Sequence, residues 1–119
     1  MSKTYQYLAT QGNSVVFANA IDLKDQVRKS QSSFVPKGMS DAVYKDLFTL
    51  TREYNVANSV PGQPPIKKVV LLKIEIQGTI DTKAVKLAML DEAKEVILES
   101  PKQLDGFPPN ALETIQLGG

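Results

Sequence analysis

The segment Ile66–Gln77, IKKVVLLKIEIQ, alternates apolar and polar residues over its second part, the two-residue period of a half-buried strand. Gly78 breaks that pattern. Asp81–Glu99, DTKAVKLAMLDEAKEVILE, then follows a helical period until Ser100 and Pro101 end it. A strand that turns directly into one long helix constrains the fold to a small sheet closed by that helix, an α+β arrangement. The chain has no cysteine and no histidine, so the pattern points to binding or assembly rather than to catalysis.

Composition narrows the field further. The 119 residues fit one domain, and a hydrophobic content of 42% is that of a folded chain. A chain of this size buries only about two-thirds of the surface it exposes when unfolded, so association is a natural source of added stability. Without cysteine there are no disulfides, thiolate nucleophiles or sulfur-ligated metals. Lacking histidine, the chain also has neither the commonest general base nor the commonest metal ligand. The opening MSKTYQYLATQG has no apolar stretch of the signal-peptide kind, and no apolar run approaches the roughly 20 residues needed to cross a bilayer. The expectation is a soluble protein that is not secreted, or one exported by other means. The net charge of +1 says little, but its distribution is uneven. Lys24, Arg28, Lys29, Lys37, Lys45, Arg52, Lys67, Lys68 and Lys73 lie in the strand-rich part, whereas Asp91, Glu92, Glu95 and Glu99 crowd the helix.

Along the chain, Tyr5–Thr10 and Ser14–Asn19 read as a hairpin around Gln11-Gly12-Asn13. Ile21–Phe34 is polar with sparse apolar points at Leu23 and Val27, and reads as an edge strand or a loop. Pro36-Lys37-Gly38 is a turn. Val43–Val56 is a long strand with Tyr44, Phe48, Leu50 and Tyr54 on one face and Lys45, Leu47, Thr49, Thr51 and Glu53 on the other. Asn58–Pro65, NSVPGQPP, has three prolines and a glycine in eight residues and must be an exposed, stiffened loop. In the strand after it, Lys68, Val70, Leu72, Ile74 and Ile76 share one face, and Lys67, Val69, Leu71, Lys73, Glu75 and Gln77 the other. The helix carries a main apolar stripe of Val85, Met89, Ala93, Val96 and Ile97, with Asp81 as the expected N-cap. Leu87 and Leu98 form a separate apolar line, which predicts contact with a second surface besides the helix's own sheet, either a partner subunit or another surface. The tail Pro101–Gly119 reads as an extended arm, with Asn110–Leu117 as a short helix or strand.

Candidate chemistry is sparse. The acidic residues Asp91, Glu92, Glu95 and Glu99 read as a solvated helix face, because no second ligand-rich segment accompanies them. Ser14, Ser30, Ser32, Ser33 and Ser59 lack a histidine base and a nucleophile elbow, and there is no glycine-rich phosphate loop. Tyr5, Tyr7, Tyr44 and Tyr54 read as packing residues. The basic strand positions fit either a solvated sheet face or a nucleic-acid contact.

The order of elements resembles the coat proteins of single-stranded RNA bacteriophages of the levivirus type. It runs from an N-terminal hairpin through long antiparallel strands and a proline-bearing loop to a last strand, one long helix and a proline-containing tail. Val27-Arg28-Lys29-Ser30-Gln31-Ser32-Ser33 looks like the family's V-R-Q-S-S strand segment. Asp81–Glu99 followed by Asp105-Gly106-Phe107-Pro108-Pro109 looks like its helix and the D-G-x-P-x-P stretch after it. The resemblance covers nearly the whole chain. It implies a single coat-protein domain over residues 1–119, with a hairpin at 1–20, an antiparallel meander sheet at 21–78 and a helical part at 81–119. It further implies an interlocked homodimer in which each helix lies across its partner's sheet, with Leu87 and Leu98 at the dimer interface.

By the same resemblance the dimers build an icosahedral shell within the cytoplasm of a bacterial host, and the protein resides in the virion. The inward sheet face would hold single-stranded genomic RNA and, as a repressor of translation, an operator hairpin. Carried over by position, the RNA-facing residues are Lys24, Gln26 and Arg28, then Lys45, Thr49 and Thr51, then Lys67, Lys73 and Glu75. Lysine and arginine neutralise phosphates there, and threonine and glutamine bond to base edges or sugar hydroxyls. Val60, Pro61, Gly62, Gln63, Pro64 and Pro65 would form the contact between dimers at the symmetry axes. No cofactor, metal, membrane or small-molecule substrate is expected. The competing readings are a small dimeric α+β binding module, such as a chaperone or adaptor without RNA, and a cofactor-free enzyme.

Overall fold

The structure, a computed structural model, describes residues 3–118. It falls into two compact units, residues 1–80 and residues 81–119.

The first unit is a five-stranded antiparallel meander, in which every strand pairs with its neighbours in sequence. The strands are β1 (Tyr5–Gln11), β2 (Ser14–Asn19), β3 (Asp22–Phe34), β4 (Val43–Val56) and β5 (Ile66–Gly78). The expected hairpin is β1–β2, turning through Gly12 at a φ of 62°, and it is continuous with the rest of the sheet. A bulge interrupts β1 between Tyr7 and Ala9. The proposed strand Val43–Val56 is β4 residue for residue.

The segment Ile21–Phe34 departs from the edge strand or loop expected of it. It is neither a loop nor an edge but the central strand β3, paired to β2 on one side and to β4 on the other. Its weak strand propensity is overridden by two ladders of backbone hydrogen bonds, because propensity reflects environment more than intrinsic preference.

The register gives the two faces of the sheet distinct characters. One row crosses all five strands as Tyr7, Phe17, Val27, Leu50 and Leu72. The face carrying it also holds Phe48 opposite Ile74, and it is the apolar face. On the opposite side successive rows read Val16, Arg28, Thr49, Lys73 and Ala18, Gln26, Thr51, Leu71. This is the polar face. Among the described residues the only buried apolar ones are Val16 and Ala18, each 3% exposed, and no side chain is wholly enclosed. Val70 and Leu72 on the apolar face are 51% and 47% exposed. The apolar face is therefore not closed: Phe17, Val27, Phe48, Leu50 and Ile74 are only half-buried, and Val70 and Leu72 stand open.

A short 3-10 turn, Ile80–Thr82, spans the boundary, and the second unit continues with α1 (Lys83–Leu98) and a one-turn helix α2 (Pro101–Leu104). Asp81 is not the N-cap. It lies within the 3-10 turn, and Thr82 takes the cap position without a side-chain capping hydrogen bond. The tail forms neither a helix nor a strand over Asn110–Leu117. It makes a single turn there, closed by the Glu113 amide on the Asn110 carbonyl and braced by the Asn110 side chain on the Leu112 amide. A short polar segment gains more from such a side-chain turn than from one further helical turn. The Gly118 amide bonds back to Glu95 of α1 at 3.1 Å. No residue of α1 is buried, and both of its apolar lines stand open: Val85, Met89 and Ile97 in the main stripe, and Leu87 and Leu98 in the second.

Candidate functional site

The polar face brings together all of the residues proposed to touch RNA. Strand alternation and register put Lys24, Gln26 and Arg28 of β3 on the same side as Lys45, Thr49 and Thr51 of β4 and Lys67, Lys73 and Glu75 of β5. Gln26 lies opposite Thr51, and Arg28 opposite Thr49, which in turn faces Lys73. Lys45 faces Gln77, and Glu75 faces Leu47. The result is a band of cations and hydroxyl or amide groups across three strands, about 4.8 Å apart from strand to strand.

Several of these side chains are already engaged. The Arg28 guanidinium donates to the Gln11 side chain of β1 at 2.9 Å, so its stem crosses β2 above the buried Val16. Gln26 donates to the Leu23 carbonyl at 3.0 Å. The Lys45 ammonium lies 5.5 Å from the centre of the Phe34 ring, a cation–π contact on the same face. Lys24 and Lys67 both pair with Glu53, at 3.7 and 2.9 Å. The hydrogen bond and charge of Lys67, with Lys24 adding to them, lower the Glu53 carboxyl against a smaller opposing effect of burial. Leu71 and Val69 are 54% and 59% exposed, which leaves two apolar points within the basic band.

A second polar cluster, which the sequence reading missed, lies on the other side of β3. Asp25 is 4% exposed and accepts hydrogen bonds from Lys3 (3.0 Å), Tyr5 (2.9 Å) and Asn19 (3.1 Å). The Arg52 guanidinium sits 2.6 Å from Oδ1, the oxygen that also accepts from Tyr5, in a charge contact rather than an aligned hydrogen bond. Burial alone would raise the carboxyl. The Lys3, Asn19 and Tyr5 hydrogen bonds and the Arg52 charge outweigh it and hold Asp25 at about 2, against 3.8 ordinarily. The partners lie up to 27 positions away in sequence, so no local pattern signals the cluster.

The Asn58–Pro65 loop is stiffened in the way its composition implies. The Gln63 amide bonds the Val60 carbonyl at 3.3 Å around Pro61 and Gly62, with Gly62 at a φ of 79°, as a turn with proline first and glycine second requires. Asn58 spans the loop, accepting from the Val60 amide at 2.9 Å and donating to the Pro64 carbonyl at 3.3 Å. Val60 stands 54% exposed at its tip. Leu87 and Leu98 are 52% and 67% exposed on α1. Among the described residues no group of three or more acidic side chains is placed to hold a metal ion, and no helix is long and apolar enough to cross a membrane.

No protein-family model matches the chain, and no curated protein does. Solved structures do. The virus-like particle of bacteriophage PQ-465 is similar to this chain with a TM-score of 0.71 over 98% of both chains, at 17% sequence identity. The virus-like particle of bacteriophage ESE001 is similar with a TM-score of 0.59, over 97% of this chain and 100% of that one, at 16% identity. The chain thus shares its fold with the proteins of two bacteriophage virus-like particles, in agreement with the order of elements on which the resemblance rests.

Proposed function

We propose that the chain is a structural, non-enzymatic coat protein of a single-stranded RNA bacteriophage. Two copies interlock through their helices and apolar sheet faces, the dimers assemble into an icosahedral shell, and the polar sheet face holds the packaged RNA. The same face serves in translational repression through an operator hairpin.

One observation carries this reading. A chain of this length ordinarily encloses a core, yet only Val16 and Ala18 are buried apolar residues among those described, and Val85, Leu87, Met89, Ile97 and Leu98 of α1 all stand open. Exposed apolar area of this extent marks an interface. The partner whose shape fits is a second copy, supplying a helix for an uncovered sheet and a sheet for an uncovered helix. Support for the shell comes from the whole-length fold similarity to two virus-like particles. The RNA role is supported by the gathering of Lys24, Arg28, Lys45, Lys67 and Lys73 on the face opposite the apolar one.

The test is the size and absorbance of the purified protein. Megadalton particles with nucleic-acid absorbance that ribonuclease removes after disruption are the expected result. A small dimer free of nucleic acid would overturn the proposal and favour a dimeric binding module.

A further inference from the structure

Glu53 occupies the polar face near the end of β4, opposite Val69 and one step diagonal from Lys67. A single carboxylate oxygen of Glu53 contacts both Lys67 Nζ at 2.9 Å and Lys24 Nζ at 3.7 Å. The two lysines come from the strands on either side of it. Their side chains are 62% and 60% exposed, whereas that of Glu53 is 22% exposed. The anion therefore sits low in the sheet surface with two ammonium groups over it. The row through Arg28, Thr49 and Lys73 is built differently, since no carboxylate belongs to it and the recorded partner of Arg28 is the neutral Gln11.

A phosphate approaching Lys24 and Lys67 meets two cations that already share one anion. It must compete with Glu53 for the same donors, and it releases fewer counterions than two unpaired lysines would. Resting on the RNA reading above, we infer that Glu53 is an internal competitor for phosphate, which damps backbone binding at the loop end of the face. The grip is thereby concentrated on the Arg28–Thr49–Lys73 row. Glu53 sets RNA affinity and its salt dependence without itself touching RNA.

Equilibrium binding of a fluorescent oligouridylate to the full chain, over a series of salt concentrations, tests this with four proteins: parent, E53Q, D41N and E53Q/K24S/K67S. Asp41 is the charge-matched control, an exposed carboxylate in the loop between β3 and β4, outside the polar face and with no ion pair among the described residues. E53Q should bind several-fold more tightly than the parent at low salt. Its slope of log affinity against log salt should be steeper by about 0.7 to 1.4, one or two added phosphate contacts on a single strand. D41N should change both far less, and the triple variant should lose the whole gain. Thermal melts of all four confirm that the fold is kept, and the triple variant separates freed lysines from any loosening of the strand. Parent-like binding by E53Q, or equal gains in E53Q and D41N, would overturn the inference, the second by reducing it to net charge. Absence of binding by the parent itself would strike the RNA reading, and this inference would fall with it.

Discussion

Asp25 shows how one residue ties the sheet together from beneath. Through Tyr5, Asn19 and Arg52 it links four strands, and Lys3 adds a fourth contact ahead of β1. Its carboxyl lies at about 2 in the fold and near the ordinary carboxylate value when unfolded. The folded state therefore binds the proton less readily. The resulting stability is complete above about pH 4 and is lost as pH falls through about 2, an amount on the order of 2 kcal/mol. D25N should unfold more easily at neutral pH, because it leaves Arg52 and Lys3 without a counter-charge. It should also flatten the acid limb of a melting-temperature profile between pH 4 and pH 2. On the opposite face, changing Arg28 and Lys73 to serine should flatten the salt slope of RNA binding by about 1.4, two phosphate contacts. An unchanged slope would mean that the polar face is not the one that binds.

At the scale of elements, the long alternating strands were legible because each has one face toward apolar neighbours and one toward polar ones. Val43–Val56 could be delimited to the residue, bounded as it is by Gly38 with its turn and by the proline-rich loop. β3 was not legible. Lys24, Asp25 and Gln26 give it no apolar alternation, since Asp25 is satisfied by partners distant in sequence. Alternation also sorted the candidate RNA residues onto one face, but it could not show that Glu53 falls between Lys24 and Lys67. That depends on cross-strand register, which the turns decide. The Asn58–Pro65 loop carries a prediction at this scale. Replacing Val60–Pro65 by a glycine–serine stretch of equal length removes the Pro61–Gly62 turn and one end of the Asn58 brace while leaving Val56 paired with Ile66. The dimer should stay folded, with a melting temperature within a few degrees of the parent. Electron microscopy should show fewer or misshapen particles, and shells of unchanged size and yield would reduce the loop to a connector.

At the scale of the whole molecule, stability and association should be one property. If the proposed dimer is obligate, a chain that encloses so little on its own should have no stable folded monomer, and its unfolding midpoint should rise with protein concentration. Changing Leu87 and Leu98 together to aspartate should abolish the dimer and with it the cooperative melt. Calorimetry together with sedimentation would show a well-folded monomer if the interlocked arrangement were wrong.

The two borders of the sheet are unequal, and the inequality limits growth. β1 is 7 residues long and kinked by its bulge, a border that offers no regular ladder to a further strand. β5 is 13 residues long, and its ladder with β4 is unbroken from Val56 opposite Ile66 to Tyr44 opposite Gly78. Joining two β5 borders about a two-fold axis consumes the one extendable side of each chain and turns both blunt sides outward. Such a product would be self-terminating: under the proposed pairing it stops at two, and the blunt outer borders would keep the sheet from extending into a fibre.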